Sequence, residues 1–145
     1  MTDHTMMLSH QKKLEWALFL LRFGVFIVMF AWTLDKFISP GHAAKIFEHF
    51  YFLNGVGDNV IKGLGAVEMV IILAFLAGLW KRYTYGFVMI FHGVSTVFSW
   101  QKYTIDMNLL FFAAWPMLAA CITLFMLRDL DVKYILGKPI TLKGH

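Results

Sequence analysis

The sequence predicts an all-α membrane protein: a four-transmembrane-helix bundle with a short amphipathic interfacial helix between helices 1 and 2. Three observations carry this. Hydrophobic residues make up 59% of the 145 positions and charged residues 15%, with mean hydropathy +0.66, so a soluble domain of this size could not cover its apolar surface. Four apolar runs, over 14–34, 61–80, 83–100 and 107–127, each approach the ~20 residues that cross a hydrocarbon core. No strand-like alternation competes, and in lipid an open strand would leave backbone groups unpaired.

The elements follow in chain order. Residues 1–13 are polar and end in Lys12-Lys13. The first run has no small-residue cleavage site and is too long for a signal-peptide core, so it reads as an uncleaved signal anchor. Ser39-Pro40-Gly41 breaks the first helix. Ala44, Ile46, Phe47, Phe50, Tyr51 and Leu53 then interleave with Lys45, Glu48 and His49, the pattern of an amphipathic helix on the membrane surface. That helix serves as an anchor or as a lid over the bundle mouth. A turn at 54–59 leads into the second span. Pro116 removes a donor from the fourth span, frees the Phe112 carbonyl and predicts a kink. The tail at 128–133 mixes charges and reads as solvated, with no assigned chemistry. The chain forms one integral membrane domain, 1–145.

Charge and cysteine content exclude several functions. The formal charge is +4 and the pI near 9.3, but the basic residues cluster at segment ends rather than along a nucleic-acid-binding stripe. The single cysteine, Cys121, rules out an intrachain disulfide, a redox Cys pair and a thiolate metal cage. With both termini cytoplasmic, Lys12, Lys13, Lys81, Arg82, Arg128, Lys133, Lys138 and Lys143 lie inside, and Lys36, Lys45, Lys62 and Lys102 outside. That bias sets the predicted orientation.

Three ionisable groups remain at membrane depth, where each costs several kcal/mol on insertion, by about 2.5–3.5 on translocon scales. They are Arg22, Glu68 and His92. Rise per residue places them ~12, ~18 and ~14 Å from the inner edge of their runs. Convergence inside the bundle is expected, with Arg22 and Glu68 as an ion pair that either fixes the register or serves a function. His92, Ser95, Thr96 and Ser99 share one helical face, as interhelical glue or as the wall of a hydrated path. His92 alone reads as a hydrogen-bonded core residue or as a ligand.

These residues resemble a known pattern. Arg22 with Lys36 fourteen positions on, Glu68, the stretch Gly78-Leu79-Trp80-Lys81-Arg82 and Asn108 are similar to the motifs of the DoxX family, small bacterial four-helix inner-membrane proteins. The resemblance spans roughly residues 22–131. Phe26 and Thr33 stand where the family's first helix carries small glycines. The resemblance implies a bacterial inner-membrane location and a membrane subunit near the quinone pool, beside partner proteins.

Two functions are expected from different classes. One is a quinone-linked redox subunit, not an enzyme alone. Its cofactor site would draw on Arg22, Glu68, His92, Ser95, Thr96 and Asn108. His92 and Glu68 would donate and relay protons, and Arg22 would hold Glu68 ionised or steady anionic charge on the ring. The other is a non-catalytic assembly subunit of a larger membrane complex, or a small transporter. Haem is disfavoured: bis-histidine ligation needs two histidines at one depth, and only His92 lies within a span, leaving Met29 or Met69 as unsupported second ligands. No metal site is expected.

Overall fold

A computed structural model describes residues 2–137, with side chains from residue 5 onward except that of Phe50. Lys138, Lys143 and His145 lie outside the described residues. Among the described residues there are helices and no strand. Helix α1 spans Thr2–Ile38, α2 Pro40–Tyr51, α3 Asp58–Leu76, α4 Lys81–Phe98 and the short α5 Trp100–Thr104; a 3-10 turn at Leu109–Ala113 then runs into α6, Ala114–Met126. Three stretches are long and apolar enough to cross a membrane: Thr5–Ile38, Asp58–Leu76 and Leu109–Met126. The protein is therefore a multi-pass, membrane-embedded chain.

At 37 residues, α1 is about 55 Å long, well beyond the ~30 Å hydrocarbon core. Its N-terminal turns project from the bundle, and residues 5–14 are exposed. Further along, Leu18, Arg22, Val25, Met29, Thr33 and Lys36 are buried while Leu20, Phe23 and Ile27 are exposed. On α3, Ile61, Gly65, Glu68, Ile72 and Phe75 form the matching inward seam, spaced by threes and fours as packed helices require. Gly65 makes the approach close: a Cβ there would stand 3.2 Å from Lys36 Cβ and from the Phe37 ring.

The bundle is polar inside and apolar outside. Arg22, Thr33, Glu68, His92 and Thr96 are buried, while Val67, Val70, Ile90, Val97 and Met126 are exposed. Water would disfavour that arrangement; acyl chains favour it. Helix α1 packs on α3 and α4 on α6, with α3 against α4 and α1 against α6 closing the ring. Helix α2 lies across one end, touching α1, α3 and α4. The opposite end carries the α3–α4 turn.

That turn is a Schellman motif. Gly78 has φ +65°, and its N–H reaches the Phe75 carbonyl (3.0 Å) while Leu79 N–H reaches Ala74 (2.9 Å). Helix α3 therefore stops at Leu76, four residues before the expected boundary. The fourth span also differs from expectation. A 3-10 turn occupies 109–113 and runs directly into α6, with Pro116 in its first turn, so the irregular winding lies where the proline lacks its N–H.

The tail over 128–137 corrects another expectation. It does not sit out in solvent as a mixed-charge segment: Asp131 is fully buried, and the segment folds back over the turn end. Leu136 N–H bonds to the Ala77 carbonyl at 2.8 Å. A Cβ on Gly78 would meet Ile135 at 2.5 Å. Gly78→Ala should thus be both strained at positive φ and sterically blocked. The expected outcome is a fall in stability of more than about 1 kcal/mol and faster trypsin cleavage at Lys133, read by thermal unfolding and limited proteolysis in detergent. Unchanged melting and cleavage would contradict this docking.

Candidate functional site

The predicted site residues separate into three groups. The first lies at the turn end. Arg22 Nη1 stands 3.0 Å from Asp131 Oδ2, and both side chains are fully buried. Tyr85 Oη donates to the same carboxylate oxygen at 2.7 Å, and Arg22 Nη1 donates to Tyr85 Oη at 3.2 Å. Arg22 Nη2 donates to the main-chain carbonyls of Lys133 and Tyr134. Lys81 Nζ, beside the turn, donates to the carbonyls of Arg128 and Asp131. One guanidinium thus gathers α1, α4 and the returning tail.

The second group lies some four turns of α1 away, toward α2. Lys36 Nζ pairs with Glu68 Oε2 at 2.8 Å. The single hydroxyl proton of Thr33 is shared between Glu68 Oε1 at 2.9 Å and the Met29 carbonyl at 2.8 Å. Both carboxylate oxygens are satisfied, and Lys36 also lies 5.9 Å from the centroid of the Phe91 ring. Thr33 is fully buried and takes a hydrogen-bonding role.

The expected Arg22–Glu68 pair is therefore replaced by two others. Side chains on a helix lean toward its N-terminus. Arg22 accordingly reaches from α1 toward the turn end, away from Glu68. Lys36 leans the same way and descends onto Glu68. Lys36, counted in the sequence among the outside cations, is buried, at 7% exposed. Arg22, Glu68 and His92 do not meet in one cluster.

The third group surrounds a cavity of ≈ 1030 Å³ between α1, α2, α4, the 3-10 turn and α6. Leu20, Leu21, Val25, Val28, Phe91, Met117 and Ala120 line its apolar length, and Asp35, Lys36, His42, His92, Ser95, Thr96 and Ser99 its polar end. His92 Nε2 is 3.0 Å from the Ala114 carbonyl oxygen, and its ring lies 5.8 Å from that of Trp32, tilted by 33°. His92 Nδ1 is buried without a hydrogen-bond partner. Thr96 Oγ1 donates to the His92 carbonyl at 2.8 Å, and Ser99 Oγ to that of Ser95 at 2.8 Å. Helix α2 covers the mouth through His42, Ala43, Ile46, Phe47 and Tyr51, and His42 Nδ1 is held 2.6 Å from Asp35 Oδ2.

Of the predicted residues, His92, Ser95 and Thr96 border the cavity. Glu68 touches it only through Lys36, and Arg22 stands outside it. Asn108 is placed as a cap: its Oδ1 accepts from Leu110 N–H at 3.1 Å, and it is not part of the cavity wall. Tyr103, beyond the end of α4, donates to the Thr96 carbonyl at 3.0 Å, and burial pushes its phenol above the usual tyrosine range. Sequence reasoning missed Asp131 as Arg22's partner, Thr33 as Glu68's, and Trp32 as the ring over His92. A carboxylate one turn beyond Arg128, flanked by Leu130 and Val132, was the available signal for Asp131. Among the described residues no group of three or more His, Cys, Asp or Glu could hold a metal ion.

Comparison of the chain with protein-family models, with curated proteins and with solved structures finds no match in any of the three.

The pairing scheme predicts energetic coupling. Double-mutant cycles on thermal or denaturant unfolding should give about 1–3 kcal/mol of coupling for Arg22/Asp131 and for Lys36/Glu68, and near-additivity for Arg22/Glu68. Asp131→Ala alone should cost about 3–5 kcal/mol by stranding a buried cation. Strong coupling between Arg22 and Glu68 would refute the assignment.

Proposed function

We propose that the chain is a DoxX-like subunit of the bacterial inner membrane that binds a lipophilic quinone in the cavity between α1, α4 and α6. On this reading it acts beside redox partner subunits rather than as an enzyme alone. The observation that carries the proposal is the cavity itself: a long apolar channel ending in a histidine and hydroxyl groups, the form that an isoprenoid tail with a hydrogen-bonding ring requires. Gly24 and Ala31 on its wall are exposed, which gives a lipid-soluble ligand sideways entry from the bilayer. Trp32 and Phe91 supply flat faces beside the polar end. When bound, a quinone supplies two-electron, two-proton chemistry. The chain's residues bind the tail, orient the ring and keep water from it.

A four-span arrangement fits this reading. Helix α4 is 18 residues long and packs between α3 and α6. It falls short as an apolar span because Lys81 and Arg82 open it and Thr84, Tyr85, His92 and Thr96 lower its average further, yet those last four residues face inward while Ile90, Val94 and Val97 face out. With four spans both ends of the chain share a side. Lys81, Arg82, Arg128 and Lys133 gather at the turn end, which favours a cytoplasmic placement of that end. Removing the buried Lys36 from the outside count strengthens the bias.

An assembly role is the second reading. It is favoured by one observation: both buried ion pairs are closed within the chain, so they serve the bundle rather than a ligand.

The test is binding. Protein purified in mild detergent should retain extractable quinone. Gly24→Leu should abolish it, since a Cβ at Gly24 meets nothing within 4 Å and the longer side chain would fill the cavity. The same change should leave stability unchanged or raise it by up to about 1 kcal/mol, because leucine is the better helix former. No bound quinone in the wild type, together with a stoichiometric co-purifying partner, would favour assembly instead.

A further inference from the structure

Resting on the cavity as a quinone site, we propose that His92 makes it selective for the reduced, hydroquinone form of its ligand. His92 Nε2 faces the Ala114 carbonyl oxygen at 3.0 Å, and a carbonyl oxygen can only accept. The Nε2 atom therefore carries the proton. Its second neighbour agrees: Thr96 Oγ1, 3.3 Å away, commits its own proton to the His92 carbonyl at 2.8 Å and turns a lone pair toward Nε2. In the neutral imidazole, Nδ1 is then a bare acceptor. It is buried and has no partner, a state that carries the full desolvation penalty until a donor arrives.

Thr96 and Ser99 spend their hydroxyl protons on main-chain carbonyls, and the Lys36 ammonium is held by Glu68 and lies near the Trp32 carbonyl. Ser95 also lines the cavity, and its hydroxyl can donate or accept. At His92 itself the site offers only an acceptor. A quinone carbonyl would bring a lone pair to a lone pair. A hydroquinone hydroxyl brings the missing proton. Both His92 and Trp32 line the cavity, with their ring centroids 5.8 Å apart. The selectivity is one of binding; no bond forms or breaks at His92.

The experiment compares three ligands on the full chain in detergent micelles by calorimetric titration: decyl-substituted para-benzoquinone, its hydroquinone kept reduced under argon, and the dimethyl ether of that hydroquinone. The wild type should bind the hydroquinone about tenfold or more tightly than either of the others. In His92→Phe that advantage should vanish, with the three affinities falling within about threefold of one another. Equal or tighter binding of the quinone by the wild type would overturn the selectivity and leave the quinone site standing, as would a preference that survives in His92→Phe. If His92→Phe does not fold, the wild-type ranking alone decides. Binding of none of the three would overturn the quinone reading itself, and the selectivity with it.

Discussion

Charge placed where no water can solvate it must find its opposite within the chain, and in this protein that requirement falls hardest on Arg22. A guanidinium at the wall of an apolar bundle is tolerable only when nearly every N–H has an acceptor. Asp131, Tyr85 and the carbonyls of Lys133 and Tyr134 provide them. Three of these four partners come from the segment after the last helix. The tail is therefore held by the need to neutralise a residue more than a hundred positions earlier. The Schellman turn at Gly78 follows from the same need, because its missing side chain is the space that Ile135 occupies.

The lean of helical side chains then divides the polar interior into two levels. On α1, Arg22 and Lys36 are fourteen residues apart on one seam, and each descends toward the N-terminal end before meeting its carboxylate. The result is two closed ion pairs, one at the turn end and one nearer α2, with apolar packing by Val25, Met29 and Ile72 between them. Each pair ties α1 to something that would otherwise be free to slide: the tail in one case, α3 in the other. Register is the natural consequence. It leaves the cavity on the other flank of α1 free of strong charge apart from Asp35, Lys36 and the groups at its mouth.

Much of this was legible in the sequence. The apolar runs located α1, α3 and α6, and Ser39-Pro40 with the amphipathic stretch beyond it located α2. Burial of Arg22, Glu68 and His92 was also legible, because exposure of ionisable groups to acyl chains is so costly. Their partners were not. Depth estimated along each helix axis ignores the direction in which a long side chain leans, so Arg22 and Glu68 looked closer than they are. Asp131 was hidden by its setting, a short charged tail with no periodicity to mark it as buried. Lys36 was counted outside because it stands just beyond the end of its run. Helix α4 shows the reverse problem: its inward polar seam lowers its average hydropathy, although its outward face is apolar. The cavity depends on how α1, α2, α4 and α6 pack around it, a tertiary property with no local signature.

The polar interior thus has a division of labour, with closed ion pairs holding the bundle and an open-sided, weakly polar cavity beside them available to a ligand. That division stands or falls on Asp131 being the counter-ion of Arg22. The most direct measurement is the thermal stability of a chain ending at Arg128, with and without Arg22→Leu. Loss of the tail should strand the guanidinium and lower the Tm sharply, and Arg22→Leu should restore much of it by removing the charge. A truncated chain that melts with the full-length protein, or one that Arg22→Leu does not rescue, would contradict the account.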